Sequence, residues 1–201
     1  MAAIVCYRTF SQNCMEKRMD RRQRKTREAI FKAFIGLLAK KDFNQITVGE
    51  IIERADVGRA TFYAHFETKD FLLKELCEDL FCHIFDALEE GGGHHRHIFE
   101  CDTTAPVILH LLLHLQKNDN HLLELLGGEN NELFLRYFKE NLRGLIEKQS
   151  GLFADKKPEI VSDDFWIHHI IATLVDTIRW WIDGGLQETA ETVYAYFLAV
   201  V

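Results

Sequence analysis

The chain is poor in the residues that break helices and in those that staple small folds. Of its 201 residues only two are proline, Pro106 and Pro158. Proline removes a backbone donor and ends or kinks a helix. Its scarcity, with Leu, Phe, Ile, Ala, Glu and Lys abundant, predicts an all-α protein. No apolar run reaches the roughly 20 residues that cross a bilayer. His110, His114, Gln116 and Lys117 interrupt or end the longest one, which argues against a membrane partner. Met1 to Val5 lack the charged start and long apolar core of an export signal, which points to the cytoplasm. Five cysteines (Cys6, Cys14, Cys77, Cys82, Cys101) make an odd set without a Cys-x-x-Cys pair. In a reducing compartment they read as free thiols. Gly91-Gly92-Gly93 follows no strand, so a glycine-rich nucleotide loop fails its context test. No Glu stands three residues before His110, His114, His168 or His169, so the Glu-x-x-His pairs of a metal-binding helical enzyme are missing.

What is present is a large apolar fraction and an uneven charge. Hydrophobic residues make up 47% of the chain, enough for a substantial core in one large or two small domains. Net charge is −7, but residues 1–75 carry 15 Lys+Arg against 10 Asp+Glu, or +5. Residues 76–201 carry 9 against 21, or −12. A basic third on an acidic remainder suits a protein that presents one end to a polyanion. Lys17, Arg18, Arg21, Arg22, Arg24, Lys25 and Arg27 form a basic arm at a helix start. The helix dipole disfavours cations there. A solvated helix start is the bland reading, and flanking phosphates would suffice as the partner.

The stretch Thr47 to Lys69, TVGEIIERADVGRATFYAHFETK, organises the rest. Thr47 with Glu50 predicts a capping box and a short helix. Asp56-Val57-Gly58 breaks it, since Asp and Gly favour turns and Gly tolerates positive φ. A second short helix is predicted from Arg59 to His65. Two short helices across a tight turn have the anatomy of a helix-turn-helix, equally of a plain αα-hairpin. Phe62 and Phe66, four apart, face a core. Arg59, Ala60, Thr61, Tyr63 and His65 are left outward. Arg59 suits guanine edges, and Ala60 or the Thr61 methyl suits a thymine methyl. Thr47, Tyr63 and His65 suit phosphate oxygens. Thr68-Lys69 opens the next helix, where amides and an ammonium can clamp a phosphate.

These residues closely resemble the signature of the TetR/AcrR family of bacterial transcriptional regulators. Ile51-Ile52, Ala55, Val57, Thr61-Phe62-Tyr63, His65-Phe66 and Lys69 carry the resemblance, which runs from Thr26 to Leu76. Asp56 stands where the family usually has Gly, Gly58 where it often has Ser, and Ala60 where Gly is frequent. The resemblance implies that Thr47, Tyr63 and Lys69 meet phosphates, and with Arg24, Lys25, Gly58, Arg59, Ala60, Thr61 and His65 they make up the expected DNA contacts. It also implies a homodimer on a pseudo-palindromic operator, built through the last two helices.

The domains expected are a disordered extension and basic arm (1–20), a DNA-binding head (21–68), and a helical effector-binding and dimerisation domain (69–201). Met15 reads as a native start. About nine helices are predicted: Arg24–Lys41, the helix-turn-helix pair, a connector Lys69–Glu90, Ala105–Lys117, His121–Leu126, Glu132–Gln149, Ser162–Asp183 and Glu188 onward. Gly151–Pro158 is expected to be a loop. Phe81, Phe85, His110, His114, Phe134, Tyr137, Phe138 and His168 are candidates to line a small-molecule effector pocket, or equally to form core. Ile171, Val175, Ile178, Trp181, Val193 and Phe197 are the candidates for the dimer interface. His94/His97 and His110/His114 have metal-compatible spacings, against which stand a solvated loop and an ordinary helix face. No cofactor or catalytic residue is expected. The function expected is a ligand-responsive repressor. The alternatives are a constitutive DNA-binding or adaptor protein, or a metal-binding helical enzyme.

Overall fold

The computed structural model describes residues 20–86, 106–117, 123, 126 and 132–201. All regular structure among them is helical. Two compact units emerge, the first running through His83 and the second beginning at Ile84. Each is described by itself.

In the first unit α1 spans Arg21–Leu38, three residues earlier at each end than its apolar period suggests. Ile30, Phe31, Phe34, Ile35 and Leu38 recur at helical spacing and are all buried, with Ala33 among them. A 3₁₀ turn, Phe43–Gln45, follows, and Phe43 closes edge-on over Phe34 at 6.2 Å. Helices α2 (Val48–Ala55) and α3 (Arg59–His65) come next, then α4 (Lys69–Asp86). A helix of seven residues is not stable alone in water. Phe62 and Phe66, both fully buried, hold α3 to the unit, with Phe66 edge-on to Phe31 at 5.4 Å. Each buried Phe contributes about 1.5–3 kcal/mol.

In the second unit α5 (Val107–Gln116) packs on α9 (Ala190–Val200), α6 (Glu132–Lys148) packs on α8 (Asp163–Asp183), and α8 also packs on α9. Between α6 and α8 the expected loop is replaced by a one-turn helix, α7 (Ser150–Phe153), and a 3₁₀ turn, Ala154–Lys156. The reason is Phe153, which is buried edge-on against Phe197 at 6.1 Å. Ser162 caps α8 and Thr189 caps α9, each accepting from the amide three residues on. Gly185 ends the α8 segment at φ +72°, a conformation that favours glycine. Leu123 and Leu126 are helical; the rest of the expected His121–Leu126 helix lies outside the described residues.

Six residues expected at a dimer interface are core instead. Ile171, Val175, Ile178, Trp181, Val193 and Phe197 are at most 6% exposed within a single chain. Trp181 donates its indole N–H to the Glu188 carbonyl at 2.9 Å. A side chain already out of solvent has nothing left to offer a partner. The exposed apolar face of these helices is a different one: Phe165 (59%), Trp180 (54%), Tyr196 (48%) and Val200 (66%). Trp180 and Tyr196 meet edge-on at 6.3 Å, so the α8 and α9 parts of this face are continuous. One cysteine departs from expectation: Cys82 is disulfide-bonded, whereas Cys77 is buried and outside any disulfide.

Candidate nucleic-acid interface

The helix-turn-helix forms as the local rules dictate. The Thr47 amide donates to Glu50 Oε2 at 2.8 Å, and the Glu50 amide donates to Thr47 Oγ1 at 3.3 Å. This is the reciprocal capping box. Glu50 is also bridged by the Lys41 ammonium. That ammonium, then the Thr47 amide and hydroxyl, hold the Glu50 carboxyl down at about 2. The turn differs from expectation in one respect. The left-handed residue is Asp56, at φ 52° and ψ 49°, while Gly58 is extended at φ −73°. Asp tolerates this region better than most side chains. An aspartate therefore holds the left-handed position at this turn. Gly58 serves as the N-cap of α3.

From this turn α3 projects its outer face. Arg59, Ala60, Thr61 and Tyr63 are exposed, while Phe62 points inward. Tyr63 is 47% exposed, and its ring is braced edge-on by Phe62 at 5.4 Å. His65 is half-buried beside Phe66. Burial, then the nearby Arg27 charge, pushes its pKa below the usual 6.5. His65 therefore favours its neutral form and acts as a hydrogen-bonding group more than as a cation.

The first turns of α1 lie beside the same turn. An open groove of about 520 Å³ runs between Arg21, Arg22 and Lys25 on one side and Ala55, Asp56 and Val57 on the other. Arg24, also exposed, pairs loosely with Glu28 at 3.8 Å. Such a surface pair is weak, which leaves Arg24 available. Arg21 and Arg22 belong with Lys25 at this surface. Their place in the basic arm was the signal for them.

Three expected contacts have partners within the chain itself. Lys69 Nζ donates to the carbonyls of Phe43 (2.8 Å) and Ile46 (2.9 Å), and stands 4.2 Å over the Phe43 ring. Burial pushes its pKa below the usual lysine value. The Thr47 hydroxyl donates to Glu50 Oε2 at 2.9 Å, so both Thr47 donors are used within the box. A phosphate oxygen accepts and cannot donate, so the box competes with it for Thr47. Arg27, counted in the basic arm, bridges to Glu75 at 2.6 Å. Thr68 caps α4, accepting from the Phe71 amide at 2.9 Å.

Most of the candidate pocket residues are buried. His110 and His114 are buried, with their Nε2 atoms 3.1 Å apart and rings stacked. Phe134 and Phe138 are buried and stacked at 5.7 Å. Phe81 is buried in the first unit. Tyr137 is half-buried beneath Arg136. His168 is exposed on α8. The Phe85 side chain, His94 and His97 lie outside the described residues. Among the described residues no group of three His, Cys, Asp or Glu is placed to hold a metal ion, and no helix is long and apolar enough to cross a membrane.

Residues 30–76 match the family described as "Bacterial regulatory proteins, tetR family", and residues 102–201 match "Transcriptional regulator C-terminal region". The uncharacterized HTH-type transcriptional regulator YxbF of Bacillus subtilis is 27% identical over 185 residues, covering 91% of this chain and 46% of that protein. The chain spans less than half the length of the curated relatives it matches. The crystal structure of a TetR transcriptional regulator from Streptococcus agalactiae is 33% identical, with a TM-score of 0.69 over 90% of this chain and 96% of that one. FadR from Bacillus subtilis, solved in complex with stearoyl-CoA, is 19% identical. It shares the fold at a TM-score of 0.56, over 86% of this chain and 95% of that one. A capped helix-turn-helix in an all-helical chain, with these matches across both units, decides the classification. The chain belongs to the TetR family of bacterial helix-turn-helix transcriptional regulators.

Proposed function

We propose that this regulator binds a pseudo-palindromic operator as a homodimer and represses transcription in the cytoplasm until a small-molecule effector releases it. The observation that carries the DNA reading is the division of α3. Phe62 and Phe66 anchor it while Arg59, Ala60, Thr61 and Tyr63 stand exposed on the other side. That leaves a rigid helix with a free polar face, which is what entry into a major groove requires. In this reading Arg59, Ala60 and Thr61 meet base edges. Tyr63 and His65 meet phosphates or sugars, and Arg21, Arg22, Arg24 and Lys25 meet a flanking backbone. Gly58, as N-cap, lets the start of α3 approach. Lys69 acts from within the head, holding α4 in place, and Thr47 fixes the start of α2 from the exposed cap.

The dimer reading moves to the exposed face of α8 and α9. Phe165, Trp180, Tyr196 and Val200 offer aromatic and aliphatic surface of the kind enriched at interfaces. A twofold contact through one such face pairs two heads for two half-sites. The effector reading rests on family likeness and on the second unit's buried His110–His114 pair, a polar group within an otherwise apolar core. FadR's complex with stearoyl-CoA makes acyl-CoA thioesters a first class to try.

The test is selection of duplexes from a random pool by the full chain. A palindromic consensus is expected, with half-sites about one helical turn apart. Arg59→Ala and Tyr63→Ala should then bind it less tightly while keeping the wild-type circular dichroism. If no sequence is enriched, the DNA reading is wrong. If enrichment occurs and no acyl-CoA or metabolite extract releases the duplex, the effector reading fails alone, and a constitutive DNA-binding protein takes its place.

A further inference from the structure

The Arg27–Glu75 ion pair lies inside the head. Arg27 Nη2 donates to Glu75 Oε2 at 2.6 Å, with side chains only 11% and 8% exposed. The guanidinium also lies 4.7 Å from the centroid of Phe66 and 5.2 Å from that of Phe31. Phe66 is the fully buried residue on which α3 ends. One side chain therefore joins three helices. It grows from α1, bonds to α4 through Glu75, and covers the end of α3 through Phe66.

Burial of such a pair contributes little net stability. The cost of desolvating two charges cancels most of their attraction, and apolar replacements of similar volume are often as stable. What the pair supplies is direction. The planar guanidinium satisfies a carboxylate and two ring faces in one orientation, which an apolar contact does not demand. We propose that Arg27 is a positioning residue for base reading: by fixing the end of α3 against α1 and α4, it sets how strongly the protein prefers its operator over other DNA. The inference rests on the DNA-binding reading above. A small rotation of α3 leaves charge attraction to phosphates nearly intact. The same rotation breaks hydrogen bonds to base edges, whose angles are strict.

The experiment compares two duplexes of equal length, one enriched by the full-length protein from a random pool and one scrambled from it. The variants are Arg27→Met, Arg27→Met/Glu75→Met and Arg27→Lys. The single Met variant takes the guanidinium away from the buried Glu75 carboxylate and should lower the melting temperature. The double variant removes both charges and should recover it. The double variant is expected to lose about tenfold in affinity for the enriched duplex, the scale of one base contact. Its affinity for the scrambled duplex and its salt slope should stay at wild-type values. Arg27→Lys, which keeps the charge and loses the plane, should show a smaller loss of the same kind and serves if the double variant does not fold. A wild-type preference in the folded variants would make the pair merely structural and overturn the inference. A salt slope lower by about one in Arg27→Lys or the double variant would mean that Arg27 touches a phosphate, which also overturns it. A wild-type protein with no preference between the duplexes removes the parent reading, and the inference with it. Those outcomes are distinguishable because the first two require a wild type that discriminates.

Discussion

Replacing Lys69 by Met separates two roles that look alike in a sequence. If the ammonium clamps a DNA phosphate, its loss leaves the free protein untouched and weakens binding. The geometry predicts the reverse. Lys69 Nζ donates to the carbonyls of Phe43 and Ile46 at 2.8 and 2.9 Å, pinning the start of α4 to the turn between α1 and α2. Hydrogen bonds to a charged group contribute about 1.5–3 kcal/mol each. Lys69 is only half-buried, so the low end of that range applies, about 3 kcal/mol for the two. The Phe43 ring at 4.2 Å adds about 0.5–1 kcal/mol. Methionine recovers part of this by burying its chain, which leaves a net loss of about 2 kcal/mol. For a chain of this size that is roughly 4–8 °C in melting temperature. Thermal denaturation at fixed protein concentration measures it, beside a salt titration of DNA binding. The slope of log affinity against log salt should equal that of the wild type. An unchanged melting temperature together with a slope reduced by about one would refute the inward role and restore the phosphate clamp.

Acid should undo the capping box late. The Glu50 carboxyl is held at about 2, below its ordinary 4.5, first by the Lys41 ammonium. The stability it contributes is full above pH 4.5 and is lost as pH falls from there through about 2. Glu50→Gln should remove that component of the acid transition, read by circular dichroism. At the turn, Asp56→Gly should stay within about 1 kcal/mol of the wild type, because relief at φ 52° offsets the greater freedom of an unfolded glycine. Asp56→Val should cost about 1–2 kcal/mol or more at the same backbone angle, measured by denaturant titration. The adjacent tryptophans should behave oppositely. Trp181→Ala should destabilise the protomer by about 3–5 kcal/mol, whereas Trp180→Ala should leave the protomer folded and weaken self-association in sedimentation experiments.

The helix-turn-helix was legible because its determinants are local. Thr47 and Glu50 are three residues apart, and Phe62 and Phe66 are four apart, so spacing alone assigns them. The inward turn of Lys69 was not legible, because its acceptors lie 23 and 26 residues away on another element. Arg27 was hidden for the same reason: its partner is 48 residues on, and in sequence it stands among exposed arginines. The burial of the expected dimer residues was hidden for a different reason. α8 is apolar on several sides, and periodicity says that a helix has two apolar faces without saying which one its own chain covers. Only the packing of α6 and α9 on α8 assigns Trp181 to the core and Trp180 to the surface.

The same distinction changes the electrostatics of the head. Counted by composition, the N-terminal third has a surplus of five positive charges. Three of its cations, Arg27, Lys41 and Lys69, are committed to Glu75, Glu50 and two backbone carbonyls. Among the exposed cations, Arg21, Arg22, Arg24, Lys25 and Arg59 stand on the first turns of α1 and the start of α3, apart from Lys32, Lys40 and Arg54. Phosphate neutralisation should therefore be a property of one edge of the head and not of its total charge. Each neutralised phosphate contributes about 0.9 to the salt slope on duplex DNA. Substituting Arg21, Arg22 or Lys25 singly by Gln should lower the slope by about that amount, while Lys41→Gln should leave it unchanged and lower stability instead. Equal slope changes from the open and the committed cations would mean that the head binds by diffuse charge, and the groove beside the turn would lose its role.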